Sequence, residues 1–338
     1  MDIRQSRREF LSNESQRLVM KILITCPPML KIINELQPTL SELKMEVTAP
    51  NVIQTLSERE LMELVPLHDG WVIGDDQASR KVVTAGKNGR LMAAVKWGIG
   101  VDNIDFDAFK DLEIPVTNTP NMFGAEVADV AVGYVIALAR STFEIDRGVR
   151  AGEWPKPSGM SLAGKTVALV GYGDIGRNTA RRLLAADMEI IAYDPFVAED
   201  VKADGIQFAI WPDRLCEADF IVMNCALTES SRHMLNSATL ALVKHGVRVV
   251  NVGRGPLIDE RALIKSLREG GVHSAALDVF EEEPLPADSY LRTHRHCILG
   301  SHNSSNSFEA VMRTSQVALK NLAEHFQNSP IVHSDSRE

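Results

Sequence analysis

The sequence has few cysteines and none in a metal-binding or disulfide-like pattern. The four are Cys26, Cys216, Cys225 and Cys297 in a chain of 338 residues. They are widely separated, and no CxxC pair or Cys/His cluster with zinc spacing occurs. A disulfide framework and a structural zinc site are therefore excluded, and we expect no metal cofactor. Unpaired thiols of this kind are typical of the reducing cytosol, so we expect a cytoplasmic protein.

Long hydrophobic runs and an excess of positive charge are also lacking. The longest strongly apolar stretch, 130–139, is much shorter than the roughly 20 residues of a membrane-spanning helix. Residues 1–16 are polar and charged and are not expected to form a secretory signal, so we predict a loosely ordered extension over 1–20. The net charge of −9 disfavours nucleic acids and anionic membranes as partners. These features predict a soluble globular protein.

Apolar runs alternate with helical patterns along the whole chain, which predicts an α/β fold with parallel sheets. A chain of this length exceeds the size at which a single core usually stops growing, so two domains are expected. The predicted strands are 21–25, 46–48, 70–74, 93–97, 166–170, 189–193, 219–224, 247–252 and 273–278. The predicted helices are 31–43, 57–65, 124–150, 174–186, 237–242, 260–269 and 307–326. The last of these is expected to return to the first domain.

Two of these helices have distinctive sequences. Ser57 and Glu60 have the spacing of a capping box, which predicts a helix beginning after Ser57. Residues 127–139 are apolar nearly all the way round the predicted helix 124–150. A helix with no polar face must be buried on all sides, between domains or between subunits. We therefore expect this helix to contribute to a homodimer contact.

The strongest chemical motif is the glycine-rich turn 171–176, Gly-Tyr-Gly-Asp-Ile-Gly, which follows a predicted strand and opens a helix. Gly171 suits a tight turn, Gly173 lets the backbone approach a pyrophosphate, and Gly176 allows close packing of the helix. The helix that starts at Asp174 and Ile175 offers unpaired N–H groups and its positive dipole end to the phosphates.

An acidic residue follows the next strand, as a dinucleotide-binding site requires. Asp194 closes the strand 189–193 and is placed to bind the ribose hydroxyls of an adenosine. Its charge would repel a 2′-phosphate, and Pro195 follows where an arginine would be needed to hold one. The sequence therefore predicts NAD rather than NADP as the cofactor.

Three residues after later strands could perform hydride-transfer chemistry. Arg254 lies between glycines, Glu283 ends an acidic run, and His302 follows a third strand. Each also has a structural interpretation: a surface loop arginine, a solvated acidic face and a structural histidine. Reduction of a ketone needs a proton donor, which suits histidine because its ordinary pKa is about 6.5. Such a reaction also needs a cation to hold a carboxylate, which suits the planar guanidinium of arginine.

Several separate motifs resemble the D-isomer-specific 2-hydroxyacid dehydrogenases, a family that includes 3-phosphoglycerate dehydrogenase and the glyoxylate and hydroxypyruvate reductases. The similarity extends from about Lys96 to His302. The motifs are 98–105 (GIGVDNID), 118–120 (NTP), 126–129 (EVAD), the turn 171–176 with Asp194, Arg254-Gly255, Asp278-Val279, Glu283-Pro284 and His302.

The resemblance implies an NAD-dependent enzyme that interconverts a D-2-hydroxy acid and its 2-oxo acid. It implies that Arg254 binds the substrate carboxylate and carbonyl, that His302 is the acid/base, and that Glu283 pairs with His302. Asp278 would contact the nicotinamide carboxamide. The remaining predicted contacts are Ala226 and Thr228 for the cofactor, and Lys96, Trp97, Gly98 and Ile99 for the substrate, with backbone N–H groups around Gly98 and Ile99 binding its carboxylate.

The resemblance also implies two Rossmann-like domains with doubly wound parallel sheets. The substrate domain is expected to combine both chain ends, 21–119 and 305–338, and the NAD-binding domain to span 120–304. The chain ends soon after the last predicted helix, so we expect no appended regulatory domain.

The sequence departs from the family pattern near the predicted pocket. Ser301 replaces a proline, Asn303-Ser304-Ser305 replaces small glycines, and Ala226 replaces another proline. Lys96 stands where phosphoglycerate dehydrogenases usually have arginine and could still meet a phosphate as a point charge. Phosphorylated and other small anionic substrates therefore both fit the sequence.

The family resemblance admits two further functions. An NAD(H)-sensing binding protein, like the corepressors that resemble these enzymes, would keep similar residues and is the alternative function. Formate-oxidising relatives have glutamine at the position of Glu283, which argues against that activity.

Overall fold

The computed structural model describes residues 19–197 and 203–328. These divide into two compact units. The first, here called the split unit, contains the residues up to Met122 and those from Phe308 onward. The second, called the central unit, is Phe123–Ser307. Apart from Val19 and Met20, the predicted extension 1–20 lies outside the described residues, and Met20 already belongs to a strand.

The split unit is built on a five-stranded parallel sheet with the strand order β2-β1-β3-β4-β5. Its strands are β1 (Met20–Ile24), β2 (Met45–Thr48), β3 (Gly70–Ile73), β4 (Ala93–Lys96) and β5 (Val116–Asn118). Its first helices are α1 (Pro27–Lys31), α2 (Gln37–Glu42), α3 (Glu58–Leu64), α4 (Arg80–Asn88) and α5 (Phe106–Asp111). Every residue of β3 and β4 is buried, as expected for central strands covered on both faces.

The central unit is built on a seven-stranded parallel sheet with the order β12-β11-β10-β9-β6-β7-β8. Its strands are β6 (Thr166–Val170), β7 (Glu189–Tyr193), β8 (Ile206–Phe208), β9 (Phe220–Met223), β10 (Val247–Asn251), β11 (Val272–Leu277) and β12 (Cys297–Leu299). Its helices are α6 (Gly124–Arg140), α7 (Thr142–Arg150), α8 (Asp174–Leu184), α9 (Ser237–Leu240) and α10 (Glu260–Glu269). The strand order reverses beside β6, which creates the crevice where open α/β sheets bind ligands.

The last helix, α11 (Phe308–Asn328), belongs to the split unit and packs against β3, β4, α1 and α2. Ala310, Val311, Ala318, Leu319 and Leu322 are buried along one side of it. This burial explains why the chain returns to the first unit after completing the second. The prediction that the final helix packs on the first domain is confirmed.

Most predicted elements agree with the structure, including the capping box. The Ser57 hydroxyl accepts the Glu60 N–H, and the Glu60 carboxylate accepts the Ser57 N–H at 2.8 Å. The predicted helix 31–43 was wrong: α1 ends at Lys31, and α2 begins at Gln37 with Pro38 in its first turn. Proline lacks an N–H and clashes with the preceding turn, so it starts a helix more readily than it continues one.

The single predicted helix 124–150 was also wrong. α6 ends at Arg140, and α7 begins at Thr142, because Ser141 adopts a left-handed conformation with φ of 54°. α6 is not buried on all sides within the chain. One side packs on α8, β10 and β11, while Ile136 on the other side remains 43% exposed. Among the described residues, no helix is both long enough and apolar enough to cross a membrane.

Candidate active site

The predicted cofactor and catalytic residues of the central unit follow the carboxyl ends of its strands. The turn 171–176 follows β6, Asp194 follows β7, and Ala226 and Thr228 follow β9. Arg254 follows β10, Asp278 and Glu283 follow β11, and His302 follows β12. Because all these strands are parallel, their carboxyl ends share one edge of the sheet. Residues separated by more than 100 positions are thereby collected along that edge.

The three glycines of the turn have three different environments. Gly171 has a φ of +93°, and a β-carbon there would lie 2.7 Å from the backbone of Cys225. A β-carbon on Gly176 would lie 2.1 Å from the carbonyl oxygen of Gly171. A β-carbon on Gly173 would meet nothing within 4 Å. Gly171 and Gly176 are thus required by the fold, whereas Gly173 leaves open space where a pyrophosphate could approach the helix N-terminus.

Asp194 is held against the turn by two backbone hydrogen bonds. Its Oδ2 accepts the N–H of Tyr172 at 2.7 Å, and its Oδ1 accepts the N–H of Phe196 at 2.9 Å. The carboxylate is therefore fixed beside the turn, as binding of an adenosine ribose requires. With the open space at Gly173, this arrangement fits the diphosphate and ribose of NAD.

Asp174 and Ile175 have partners within the central unit. Asp174 is the first residue of α8, and its Oδ1 accepts the Asn178 side-chain amide at 3.3 Å. The same carboxyl group faces Gly124, where a β-carbon would lie 2.2 Å from Oδ1. The carbonyl of Ile175 accepts the Thr179 hydroxyl at 2.9 Å. Any contribution of these two residues to phosphate binding would come from their backbone N–H groups.

The loop after β9 is closed by hydroxyl groups. Ser231 Oγ donates to the Ala226 carbonyl at 2.8 Å and accepts the Thr228 N–H at 2.8 Å. Thr228 Oγ1 accepts the Ser231 N–H at 3.2 Å. These bonds give Ala226 and Thr228 a fixed loop despite the absence of proline at position 226. Sequence reasoning did not identify Ser231, although a hydroxyl three residues after Thr228 is a common turn signal.

Arg254 is mounted on a short loop that packs tightly on its neighbour. Asn251, which is buried, donates from its side chain to the Arg254 carbonyl at 2.9 Å and accepts the Gly253 N–H at 3.0 Å. Arg254 Nη1 donates to the Gly253 carbonyl at 3.0 Å. A β-carbon on Gly255 would lie 1.8 Å from the Phe280 carbonyl, so this position requires glycine. The loop therefore fixes the backbone position from which the Arg254 side chain extends.

His302 and Glu283 form the predicted pair. His302 Nδ1 lies 2.7 Å from Glu283 Oε2, and both side chains are about four-fifths buried. The other carboxylate oxygen, Oε1, accepts the N–H of Phe280 at 3.0 Å. A carboxylate at Nδ1 holds the ring in one orientation and directs Nε2 away from it. Nε2 is then the nitrogen that could exchange a proton with a ligand.

The loop that carries His302 is attached to Asp278. The His302 N–H donates to the Asp278 carbonyl at 2.7 Å, and His302 has a left-handed φ of 53°. The Asp278 carboxylate is 2% exposed and accepts the N–H groups of Asn303 and Ser304 at 3.2 and 2.8 Å. The Ser304 hydroxyl also donates to it. Contact of Asp278 with a nicotinamide carboxamide stays a prediction.

The sequence alone did not assign Ser304 or Tyr134 to this site. A β-carbon on Gly300 would lie 2.2 Å from Asp278 Oδ1 and 2.7 Å from the Tyr134 hydroxyl, so these groups converge there. Burial, followed by the nearby charge of Asp278, raises the pKa of Tyr134 to about 12. The serine at position 304, noticed only as a departure from the family pattern, is the signal that could have identified the contact.

Four of the five predicted substrate residues, all except Arg254, lie in the split unit at the end of β4. Lys96 is 3% exposed, and its ammonium donates to the carbonyls of Gly74 and Trp97 at 2.7 and 3.1 Å and to Asp75 Oδ1 at 3.2 Å. Trp97 is 6% exposed, and its indole N–H donates to Ser315 Oγ at 3.0 Å. Both side chains thus have structural partners, and a substrate contact would require that these be given up.

Gly98 and Ile99 are the other two predicted substrate residues of the split unit. Gly98 has a φ of +123°, and its N–H donates to Thr119 Oγ1 at 2.8 Å. The Ile99 carbonyl accepts the Asn118 side-chain amide at 3.0 Å. Within residues 19–197 and 203–328, the Ile99 N–H has no hydrogen-bond acceptor. Of the two predicted backbone donors, Ile99 is therefore the one available to a carboxylate.

Comparison with known proteins shows the family to which the chain belongs. Residues 132–304 match the NAD binding domain of the D-isomer specific 2-hydroxyacid dehydrogenases. A hydroxypyruvate reductase of Thermotoga maritima is 39% identical over 74% of this chain and 79% of its own length. A D-3-phosphoglycerate dehydrogenase of Methanocaldococcus jannaschii is 35% identical over 86% of this chain but only 55% of its own length.

A solved structure agrees with these sequence matches. The apo-structure of D-lactate dehydrogenase from Escherichia coli has a TM-score of 0.79 and 26% identity, covering 92% of this chain and 98% of that one. The parallel sheets, and the glycine turn with its acidic partner, point to the same family as the sequence matches. The chain belongs to the D-isomer specific 2-hydroxyacid dehydrogenases, a family of NAD-dependent oxidoreductases.

Proposed function

We propose that the protein interconverts a small D-2-hydroxy acid and the corresponding 2-oxo acid, with Arg254, Glu283 and His302 as its catalytic residues. The observation that carries this proposal is the 2.7 Å contact between His302 Nδ1 and Glu283 Oε2. The names of the relatives, which include hydroxypyruvate and glyoxylate reductases, point to substrates of two or three carbons. NAD supplies the hydride-transfer chemistry, while the protein binds and orients the substrate and exchanges a proton with it.

His302 is the proton-transfer group in this proposal. When Glu283 holds the proton at Nδ1, Nε2 of the neutral ring is an acceptor, and Nε2 of the protonated ring is a donor. In the reducing direction, Nε2 gives its proton to the substrate carbonyl oxygen. In the oxidising direction, the same atom accepts the proton of the substrate hydroxyl. Glu283 stabilises the charged ring and keeps it oriented.

Arg254 binds the substrate carboxylate and polarises the carbonyl. A guanidinium stays charged and can form two parallel hydrogen bonds to a carboxylate, which orients the substrate as well as attracting it. For the split unit, we propose the backbone around Gly98 and Ile99, with the Ile99 N–H as donor, as a substrate-binding segment. The substrate is then fixed by its acid group, and its side chain determines specificity.

The catalytic assignment is tested by His302→Asn. Asparagine tolerates the left-handed backbone found at position 302, so this variant should fold. Loss of the acid/base should lower kcat by roughly 10²–10⁴-fold while NADH binding is retained. Steady-state NADH oxidation with glyoxylate or hydroxypyruvate measures kcat, and fluorescence titration measures NADH binding.

The matched control is His245→Asn, because His245 is exposed in the central unit away from these residues. Its kcat should equal that of the wild type. A His302→Asn protein with wild-type kcat would refute the assignment of His302 as the acid/base.

For the cofactor, we propose that the turn 171–176, Asp194, the loop at Ala226 and Thr228, and Asp278 form the NAD site. Gly173→Ala and Gly176→Ala separate binding from folding. The first adds a methyl group to open space, so the melting temperature should stay within about 2 °C of the wild type while the Kd for NADH rises at least about tenfold.

The second variant places a methyl group against the Gly171 carbonyl, so Gly176→Ala should lower the melting temperature by several degrees or prevent folding. Thermal denaturation and NADH titration of both variants check this pair. Wild-type NADH affinity in Gly173→Ala would contradict the placement of the pyrophosphate at this turn.

We further propose a cytoplasmic homodimer formed through the region 124–150. α6 and α7 leave Ile136, Phe143 and Val149 more than two-fifths exposed, and Trp154 just beyond them is 77% exposed. These apolar side chains would gain by being covered with a second copy. The four free cysteines are compatible with a reducing compartment.

Sedimentation equilibrium tests the dimer. The wild type should sediment at twice its chain mass of 37.3 kDa, and Ile136→Glu should sediment as a monomer because a charge cannot be buried unpaired. Ile53→Glu, the same change at an exposed residue of the split unit, should remain dimeric. A wild-type monomer, or dimeric Ile136→Glu, would contradict this interface.

A further inference from the structure

His233 lies where three loops of the central unit meet. It belongs to the segment between β9 and α9, which begins with the proposed cofactor loop. Its N–H donates to the Pro256 carbonyl at 2.8 Å, on the loop that carries Arg254. Its Nε2 lies 2.5 Å from Glu281 Oε1, on the acidic loop that carries Glu283. One residue therefore connects the loops that hold the proposed cofactor, anion-binding and acid/base groups.

The backbone of His233 is fixed by its neighbours. Its φ is 50°, a left-handed conformation that histidine adopts more readily than most residues with a β-carbon. Its carbonyl accepts the Asn236 side-chain amide at 2.8 Å, and the N–H of Leu235 donates to the Leu257 carbonyl at 3.2 Å. The backbone therefore sets the place from which the imidazole extends.

The pair that His233 forms with Glu281 is short and partly shielded from solvent. A carboxylate only accepts hydrogen bonds, so the Nε2 atom of His233 carries the proton between the two groups. The side chains of His233 and Glu281 are 43% and 33% exposed. A hydrogen bond to an ionised group is shorter and stronger than one between neutral groups, which suits the 2.5 Å distance. The pair can therefore restrain the loop on which Glu281 lies.

Negative charges crowd around Glu281. Glu282 follows it in the chain, and the Glu281 N–H donates to Glu260 Oε2 at 3.4 Å. Burial, together with the charges of Glu281 and Glu282, raises the pKa of the Glu260 carboxyl. A protonated His233 opposes this repulsion with a positive charge, so the pair favours the observed position of the acidic loop.

The restraint on Glu281 reaches the proposed acid/base through neighbouring residues of the same loop. Phe280 precedes Glu281, and the Phe280 N–H donates to Glu283 Oε1 at 3.0 Å. Glu283 Oε2 lies 2.7 Å from His302 Nδ1, a distance at which a carboxylate stabilises the protonated form of the ring. A loop that moved at Glu281 would carry this carboxylate away from His302.

We propose that His233, paired with Glu281, is a positioning residue that holds the Glu283 carboxylate against His302. His233 exchanges no proton with the substrate in this role. It determines how strongly His302 retains its proton, and it links this property to the loop that we assign to the cofactor. The inference rests on the proposed function and adds a residue to it.

The test replaces each member of the pair separately. His233→Asn keeps a residue type that tolerates the left-handed backbone but shortens the side chain, and Glu281→Gln removes the charge at nearly unchanged size. In both variants kcat for hydroxypyruvate with NADH should fall at least about fivefold, while KM and the Kd for NADH change less than about twofold. The double variant should lose no more than the larger single loss, because the two residues act as a unit.

The pH dependence separates positioning from a general effect on folding. In the reducing direction His302 must be protonated, so kcat/KM falls as the pH rises through the titration of its ring. A displaced Glu283 carboxylate stabilises the protonated ring less, so the midpoint of this fall should move about half a pH unit or more toward lower pH in both variants. A merely structural role of His233 would leave that midpoint unchanged.

Glu282→Gln is the matched control, since it removes the same charge from the next residue of the loop, which is exposed. Its kcat and its pH midpoint should equal those of the wild type. Because the His233–Glu281 pair is partly exposed, the melting temperatures of all variants should stay within about 3 °C of the wild type, and thermal denaturation verifies that they fold.

Failure of the inference differs from failure of the proposed function. Unchanged kcat and pH midpoint in both variants of the pair would overturn the inference. A raised Kd for NADH in His233→Asn alone would also overturn it, because His233 would then contact the cofactor. Absence of turnover in the wild type would overturn the proposed function. NMR titration of the histidine rings then tests the positioning without turnover, with the His302 signals identified by their loss in His302→Asn, and a wild-type midpoint for His302 in Glu281→Gln counts against it.

Discussion

The arrangement of the proposed catalytic residues depends on the buried carboxylate of Asp278, which needs hydrogen-bond donors around it. Asp278 directly follows β11 and is 2% exposed, and a charge in that position is stable only when hydrogen bonds surround it. The loop after β12 supplies them through Asn303 and Ser304, and its His302 N–H bonds to the Asp278 carbonyl. These bonds hold His302 in a left-handed conformation where its ring meets Glu283. One buried acid thus determines where the proposed proton donor lies.

The parallel sheet allows these loops to contact one another. The residues that we propose for cofactor binding, anion binding and acid/base chemistry follow different strands. Because these strands end at one edge of the sheet, the loops after them can support one another. The Arg254 loop packs on the backbone of Phe280, and the N–H of Phe280 in turn donates to Glu283. Changes at supporting residues such as Asn251 or Gly255 would therefore shift the proposed catalytic residues through these backbone contacts.

Much of this was predictable from sequence because it depends on local pattern. The glycine turn, the acid after the next strand and the capping box at Ser57 each need only a few neighbouring residues. The breaks in the predicted helices 31–43 and 124–150 were missed, the second because Ser141 is not a residue type that usually ends a helix. The roles of Lys96, Trp97 and Ser304 could not be predicted, since their partners Gly74, Ser315 and Asp278 are distant in sequence.

We propose that this protein transfers a hydride to C2 of a 2-oxo acid and forms the D-hydroxy acid. The decisive measurement uses NADH deuterated at C4 of the nicotinamide, at whichever of the two faces is transferred. After incubation with glyoxylate or hydroxypyruvate, mass spectrometry and chiral chromatography examine the product. We expect one deuterium at C2 of the product, and the D-isomer when hydroxypyruvate is the substrate. A product without deuterium from either labelled form, or the L-isomer, would contradict it.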